Sequence, residues 1–189
     1  MSTVTSHSEK MPAELLQGLK SQAKMIYIDA AYSGKGHLNA AEKWQRRSTW
    51  LGVPATAASS FLAAGAAVSA LLDGVPWVTA ILAGGSAVLT GLKTFLQPEE
   101  KANSHGAKGN QYLAIRNDAR AFLEIDVRAG LPKDQLVNSI KDLRRRYNDL
   151  LQADPQLSEP DAFEKARRGI EAGETSYKDD PLWQELADL

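Results

Sequence analysis

The residues with the strongest claim to chemistry are few. His7, His37 and His105 are the only imidazoles, and they lie far apart with none of the close spacing that brings metal ligands together. Ser33-Gly34-Lys35-Gly36 has the glycines and lysine of a phosphate-cradling loop. It lacks the Gly-x4-Gly-Lys-Ser/Thr spacing, however, and follows a helical pattern where such loops follow a strand. Lys141, Arg144, Arg145 and Arg146 are a basic run that could hold an anion or a lipid headgroup, but Asp142 and Asp149 sit among them, as on a solvated helix face. No grouping of serine, histidine and acid suggests a triad. The absence of cysteine removes disulfides, thiolate metal sites and thiol nucleophiles together. A formal net charge of −1 gives no broad pull toward nucleic acid. The expectation is a protein with no catalytic residues, no metal, no cofactor and no direct nucleic-acid partner.

With chemistry so sparse, the elements themselves become informative. No strand-like alternation competes anywhere, so the chain is expected to be all-α. Residues 1–10 read as a disordered tip, and the stretch to Gln17 lacks the charged start and apolar core of a secretory signal. Pro12 suits the first turn of a helix carrying Leu15, Leu16, Leu19, Ala23 and Ile26, which Ser33, Gly34 and Gly36 are expected to interrupt. A second helix then runs from His37 to Trp50, with a bend at Pro54. After the centre of the chain, Pro98-Glu99-Glu100 is a helix start, with Ile115, Ala119, Phe122 and Leu123 carrying that helix to about Gly130. Pro132 opens another, whose Leu136, Ile140, Leu143, Tyr147 and Leu150 alternate spacings of four and three and which Asp154-Pro155 closes. A short helix over 160–172 offers Phe163, Ala166 and Ile170.

The centre is different in kind. Between Ser48 and Leu92 there is one charge, Asp73, in a chain that is 24% charged and has a mean hydropathy of −0.32. The block divides at Asp73-Gly74 into two stretches, about 50–72 and 75–96, each near the roughly 20 residues a spanning helix needs. The reading is a hairpin of two transmembrane helices, with 11–49 and 97–180 as cytoplasmic helices forming a bundle and 181–189 as a tail. Trp44, Trp50 and Trp77 fall where indoles favour the interface. Lys43, Arg46 and Arg47 precede the hairpin, Lys93 and Lys101 follow it, and its turn carries no base, which places both termini in the cytoplasm and Asp73 outside. The competing reading is a soluble bundle with this alanine-rich pair at its centre.

Helices in lipid associate by close approach, so small residues mark contact faces. The packing candidates are Ala63, Ala67, Ala80, Ala83, Gly84, Ala87 and Gly91. They lie on more than one face, enough for a partner within the hairpin and a second copy of the protein. Thr79, Ser86 and Thr90 form one stripe, and Thr56, Ser59 and Ser60 cluster near the start of the first helix. These six are candidates to line an oligomeric pore, or equally to bond back to helix carbonyls. Two crossings cannot enclose a channel, so a pore requires several subunits. A different reading makes the hairpin an anchor and the seam from Leu136 to Leu150 the recruiter of another protein.

The order of parts from about Ala30 to Asp180 resembles the SLATT domains, the SMODS- and SLOG-associating two-transmembrane effectors. The resemblance rests on His37 and Ala40-Ala41 before the first crossing, Leu51-Gly52-Val53-Pro54 at its start, then Phe95, Pro98, Ala102, His105, Gly109, Tyr112, Arg120 and Phe122, and last Ala166, Ile170, Gly173 and Tyr177 to Asp180. It implies a homo-oligomeric effector in the bacterial inner membrane, acting in antiphage defence to form a pore or disrupt the membrane and cause cell death or growth arrest. It also implies a nucleotide signal, made or sensed by a partner protein, since no nucleotide-binding module is recognisable here. His37, His105 and Tyr112 are expected to be packing and hydrogen-bonding elements.

Overall fold

The computed structural model describes residues 11–65, 76–153 and 160–173, and all its elements are helical. In order they are α1 (Ala13–Gly65), α2 (Pro76–Leu96), α3 (Pro98–Ala121) with a π-helical turn (Phe122–Asp126), α4 (Lys133–Gln152) and α5 (Pro160–Glu171). The expected turn at Asp73-Gly74, the close at Asp154-Pro155, the tail from 174 onward and Ala67 lie outside the described residues.

The first correction concerns α1, which runs unbroken for 53 residues through Gly34, Gly36 and Pro54, where an interruption and a bend were expected. Glycine costs a helix interior about 1 kcal/mol, but here packing uses the missing side chains. A Cβ on Gly34 would lie 3.3 Å from the Gly109 carbonyl oxygen, and one on Gly109 3.2 Å from that of Gly34, so α1 and α3 cross backbone to backbone at this point. A Cβ on Gly36 would lie 2.4 Å from the Phe163 ring. These glycines are sites of close approach within a helix, which a reading of local propensity alone takes for breaks.

The chain folds as two compact units, one formed by 1–39 with 107–189 and the other by 40–106. The first has a conventional core. Leu19, Ala23, Ile26, Tyr27 and Ala30 of α1 meet Tyr112, Ile115 and Ala119 of α3, and Leu136, Ile140, Leu143 and Leu150 of α4 close over them. The spacing of α4 therefore does what its pattern predicts, with Leu136 only 2% exposed. The π turn follows from the same demand: Val127 N–H reaches back five residues to the Phe122 carbonyl at 3.0 Å, and the extra residue lets both Phe122 and Leu123 be buried. Gly130, at φ 68°, takes the left-handed position that ends this segment before Pro132.

In the second unit, the end of α1 and α2 lie antiparallel. Ser48 meets Glu99, Gly52 meets Lys93, and Ala55 and Ser59 meet Ser86. Between α2 and α3 a single residue turns the chain. Gln97 has φ 46°, its N–H bonds the Lys93 carbonyl, and its own carbonyl accepts from Lys101 N–H, so it ends one helix and begins the next. Pro98, which favours an abrupt stop before it, is fully buried.

Candidate functional site

Two places hold the residues singled out in the sequence. The first is an aromatic cluster in the unit of 1–39 and 107–189. His37 is 0% exposed; its ring stacks on Tyr112 at 5.5 Å and meets the edge of Phe163 at 5.5 Å. Tyr112 in turn meets Tyr147 edge-on at 6.2 Å. The room for Phe163 is the missing side chain of Gly36, and Asn39 Nδ2 holds α5 in place by donating to the Ala162 carbonyl at 3.1 Å. Burial pushes the Tyr147 hydroxyl up from its usual range, with the Asp29 carboxylate adding to the shift. Of the other positions in the family pattern, Gly109 lies under Leu38 at the helix crossing, His105 is half-buried on α3, and Pro54 is exposed on α1.

The arginines of the basic run on α4 are tied to acids and an amide. Arg145 pairs with Asp142, Arg146 with Asp118 and Asp142, and Arg144 donates to Gln22. Among the described residues there is no cluster of three or more metal-ligating side chains.

The second place is the antiparallel pair of α1 and α2, where burial is inverted. Among the described residues of the pair the buried side chains are Ser48, Ala55 and Ser86, while Trp50, Val53, Phe61, Trp77, Ile81, Val88, Leu92 and Phe95 are exposed. Among the described residues one helix is long and apolar enough to cross a membrane, and 6% of its apolar window is buried. The first apolar stretch is described only as far as Gly65.

Ser86 and Ser59 share a hydrogen bond of 2.8 Å, and Ser86 also donates to the Ala55 carbonyl at 3.3 Å. Ser86 therefore sits inside the pair, while Thr56, Ser60, Thr79 and Thr90 are exposed. Ala63, Ala80, Ala83, Gly84, Ala87 and Gly91 are exposed as well, and a Cβ on Gly84 or Gly91 would meet nothing within 4 Å.

These exposed residues are sorted by side. At about 100° per residue, Thr79, Thr90 and Ala83 lie roughly 20–60° around α2 from Ser86, which touches α1. On α1, Ala63, Thr56 and Ser60 lie roughly 80–140° around from the face that touches α2. The rotational sense is the same on each right-handed helix. Because the helices run in opposite directions, that common sense puts both hydroxyl stripes on one side of the pair. Val53, Trp50 and Phe61 of α1, measured from Ala55, and Trp77, Ile81, Val88, Leu92 and Phe95 of α2, measured from Ser86, lie roughly 160–240° around, at the back of the pair.

The base of the pair is clamped. Glu99 accepts from Ser48 at 2.9 Å and pairs with Lys93 at 2.8 Å, and these hydrogen bonds, the Lys93 one first, hold its carboxyl below the usual range. Sequence reading missed this clamp, the role of Gln97 and the cations that gather on Trp44. The only available signal was Gln97-Pro98 directly after an apolar run, a common helix-stop pattern.

These features define a class: an all-helical protein whose second unit exposes an apolar helix pair to its solvent. The chain matches the family SMODS and SLOG-associating 2TM effector domain family 4 over residues 19–181, and it belongs to that family. No curated protein and no solved structure matches it. As a member it carries a two-transmembrane effector domain of the kind associated with SMODS and SLOG systems.

Proposed function

We propose that this protein is a membrane effector of a nucleotide-signalled bacterial defence system, and that several copies assemble in the inner membrane into a pore. The observation that carries this reading is the two-sidedness of the α1–α2 pair. A hairpin that served only as an anchor would meet lipid on all sides and need no distinction between them. Here one flank has the small, hydroxyl-bearing residues that permit close helix contact and a mildly polar lining, and the back, away from the α1–α2 contact, has the bulky apolar ones suited to acyl chains. In this arrangement Thr56, Ser60, Thr79 and Thr90 face the lumen, Ala63, Ala80, Ala83, Gly84, Ala87 and Gly91 lie at or beside subunit contacts, and both termini are cytoplasmic. Ser86 and Ser59 hold the two helices of one copy together.

The adaptor reading loses its recruiting surface, because Leu136, Ile140, Leu143 and Leu150 are consumed by the protein's own core. A partner binding there would first have to open that core. Opening of the pore then requires a signal, a nucleotide or a nucleotide-sensing partner, that binds the open assembly more tightly than the closed one by several kcal/mol.

The test is leakage of a small dye from cells, or from vesicles holding the purified chain, on activation. Thr56→Val, Thr79→Val and Thr90→Val combined should leave insertion unchanged and reduce leakage. Intact, undepolarised membranes after insertion and activation of the parent chain would contradict the proposal.

A further inference from the structure

A separate feature of the 40–106 unit lies at the base of the helix pair. The indole of Trp44 has two cations on it: the Arg47 guanidinium carbon and the Lys101 Nζ each lie 4.4 Å from the ring centre. The two charges are therefore no more than about 9 Å apart, each drawn to the ring's negative face. They repel one another and attract any anion that reaches both. A phosphate accepting one hydrogen bond from each of two donors spans roughly 8 Å between them. Stacking uses the flat face of a guanidinium and phosphate binding uses its edge, so one arginine can do both at once.

The surroundings add to this. The stretches flanking the apolar pair, 40–50 and 93–106, hold Lys43, Arg46, Arg47, Lys93 and Lys101 against Glu42, Glu99 and Glu100. Two of those acids are engaged with bases, Glu42 with Arg46 at 2.6 Å and Glu99 with Lys93 at 2.8 Å. Depth fits too. Arg47 precedes the exposed Trp50 by three residues, about 4.5 Å along a helix. With Trp50 at the edge of the hydrocarbon, Arg47 falls in the headgroup layer, which is roughly 5–7 Å thick on each side.

We propose that Arg47 and Lys101, held on the ring of Trp44, form a binding site for the phosphate of an anionic phospholipid in the leaflet where the helix pair begins. This rests on the reading of the pair as membrane-embedded. The ring fixes the two cations so that they do not have to be ordered by the lipid, and their joint charge repels the ammonium of a zwitterionic headgroup, which is why this site selects anionic ones.

The test uses the full chain in an uncharged detergent, given phosphatidylglycerol or phosphatidylcholine, with retained lipid counted by native mass spectrometry. Retention of phosphatidylglycerol should exceed that of phosphatidylcholine. Arg47→Gln and Lys101→Gln should each weaken it about fivefold, and the double variant about twenty-five-fold, with phosphatidylcholine unaffected. Lys141→Gln with Arg144→Gln, bases of the other unit, should leave it unchanged. The exchange pair Arg47→Lys with Lys101→Arg keeps both charges and should retain the preference, which guards against a double variant that fails to fold. Equal retention by the parent and the double variant would overturn the proposal, as would complete displacement of the lipid by millimolar inorganic phosphate, which would make this a site for a soluble anion. Extraction of the parent chain from membranes by sodium carbonate would instead overturn the membrane reading itself, a result the lipid count cannot mimic.

Discussion

The two units of this chain obey the same physics with opposite results. In the unit of 1–39 and 107–189, leucines, isoleucines and tyrosines are inside and the arginines of α4 are outside. In the unit of 40–106, the buried residues among those described are small ones, Ser48, Ser86, Ala40, Ala55 and Ala102 with Pro98, while Trp50, Ile81, Val88 and Phe95 are outside, Phe95 at 85% exposure. Water drives the first arrangement through burial of apolar surface. The second makes sense only where the surroundings are as apolar as the side chains, so that helices associate through small residues and hydrogen bonds. Which side chains a helix pair buries thus reports the solvent it was selected in.

The sharpest way to break this comparison is a matched pair of truncations. Ile140→Ala should lower the stability of the purified chain by about 2–5 kcal/mol in a denaturant titration. Val88→Ala, exposed on α2, should cost under about 0.5 kcal/mol in detergent. Similar losses at both positions would mean that Val88 is core after all.

Next in size is Gly36→Ala, which forces a methyl into the ring of Phe163 and should cost about 1–3 kcal/mol in the same titration. This is also where the sequence was hardest to read. The α4 core positions were legible because one helix face repeats regularly, and the apolar block was legible because charge is missing over a long run. Gly34 and Gly36 were misread as an interruption because glycine's local cost is visible in a sequence, whereas its partners Gly109 and Phe163 come from distant segments. Thr79, Ser86 and Thr90 were legible as a stripe. That Ser86 turns inward to Ser59 and the Ala55 carbonyl depends on the register of the two helices, which a single sequence does not specify.

A smaller effect is expected for Ser86→Ala, which removes the bonds to Ser59 and to the Ala55 carbonyl and should destabilise the pair by about 0.6–1.7 kcal/mol, read as a shift in melting temperature in detergent. The smallest belongs to Glu99. Its carboxyl is held below the usual range in the folded chain, so its contribution is present at neutral pH and is lost as pH falls through that depressed value, below the ordinary carboxylate range. Glu99→Gln should lower the melting temperature slightly near pH 7 and leave it unchanged at acid pH, which flattens the acid limb of the curve.

The central claim, that α1 and α2 cross lipid with one side turned to a shared lumen, can be tested directly because the chain has no cysteine of its own. Single cysteines placed at Thr56, Thr90, Ile81 and Val88 are exposed to a membrane-impermeant thiol reagent after activation in intact vesicles. The account predicts rapid labelling of Thr56→Cys and Thr90→Cys, and protection of Ile81→Cys and Val88→Cys by lipid. Labelling of all four as fast as a cysteine replacing Lys141, on the water-exposed face of α4, would contradict it.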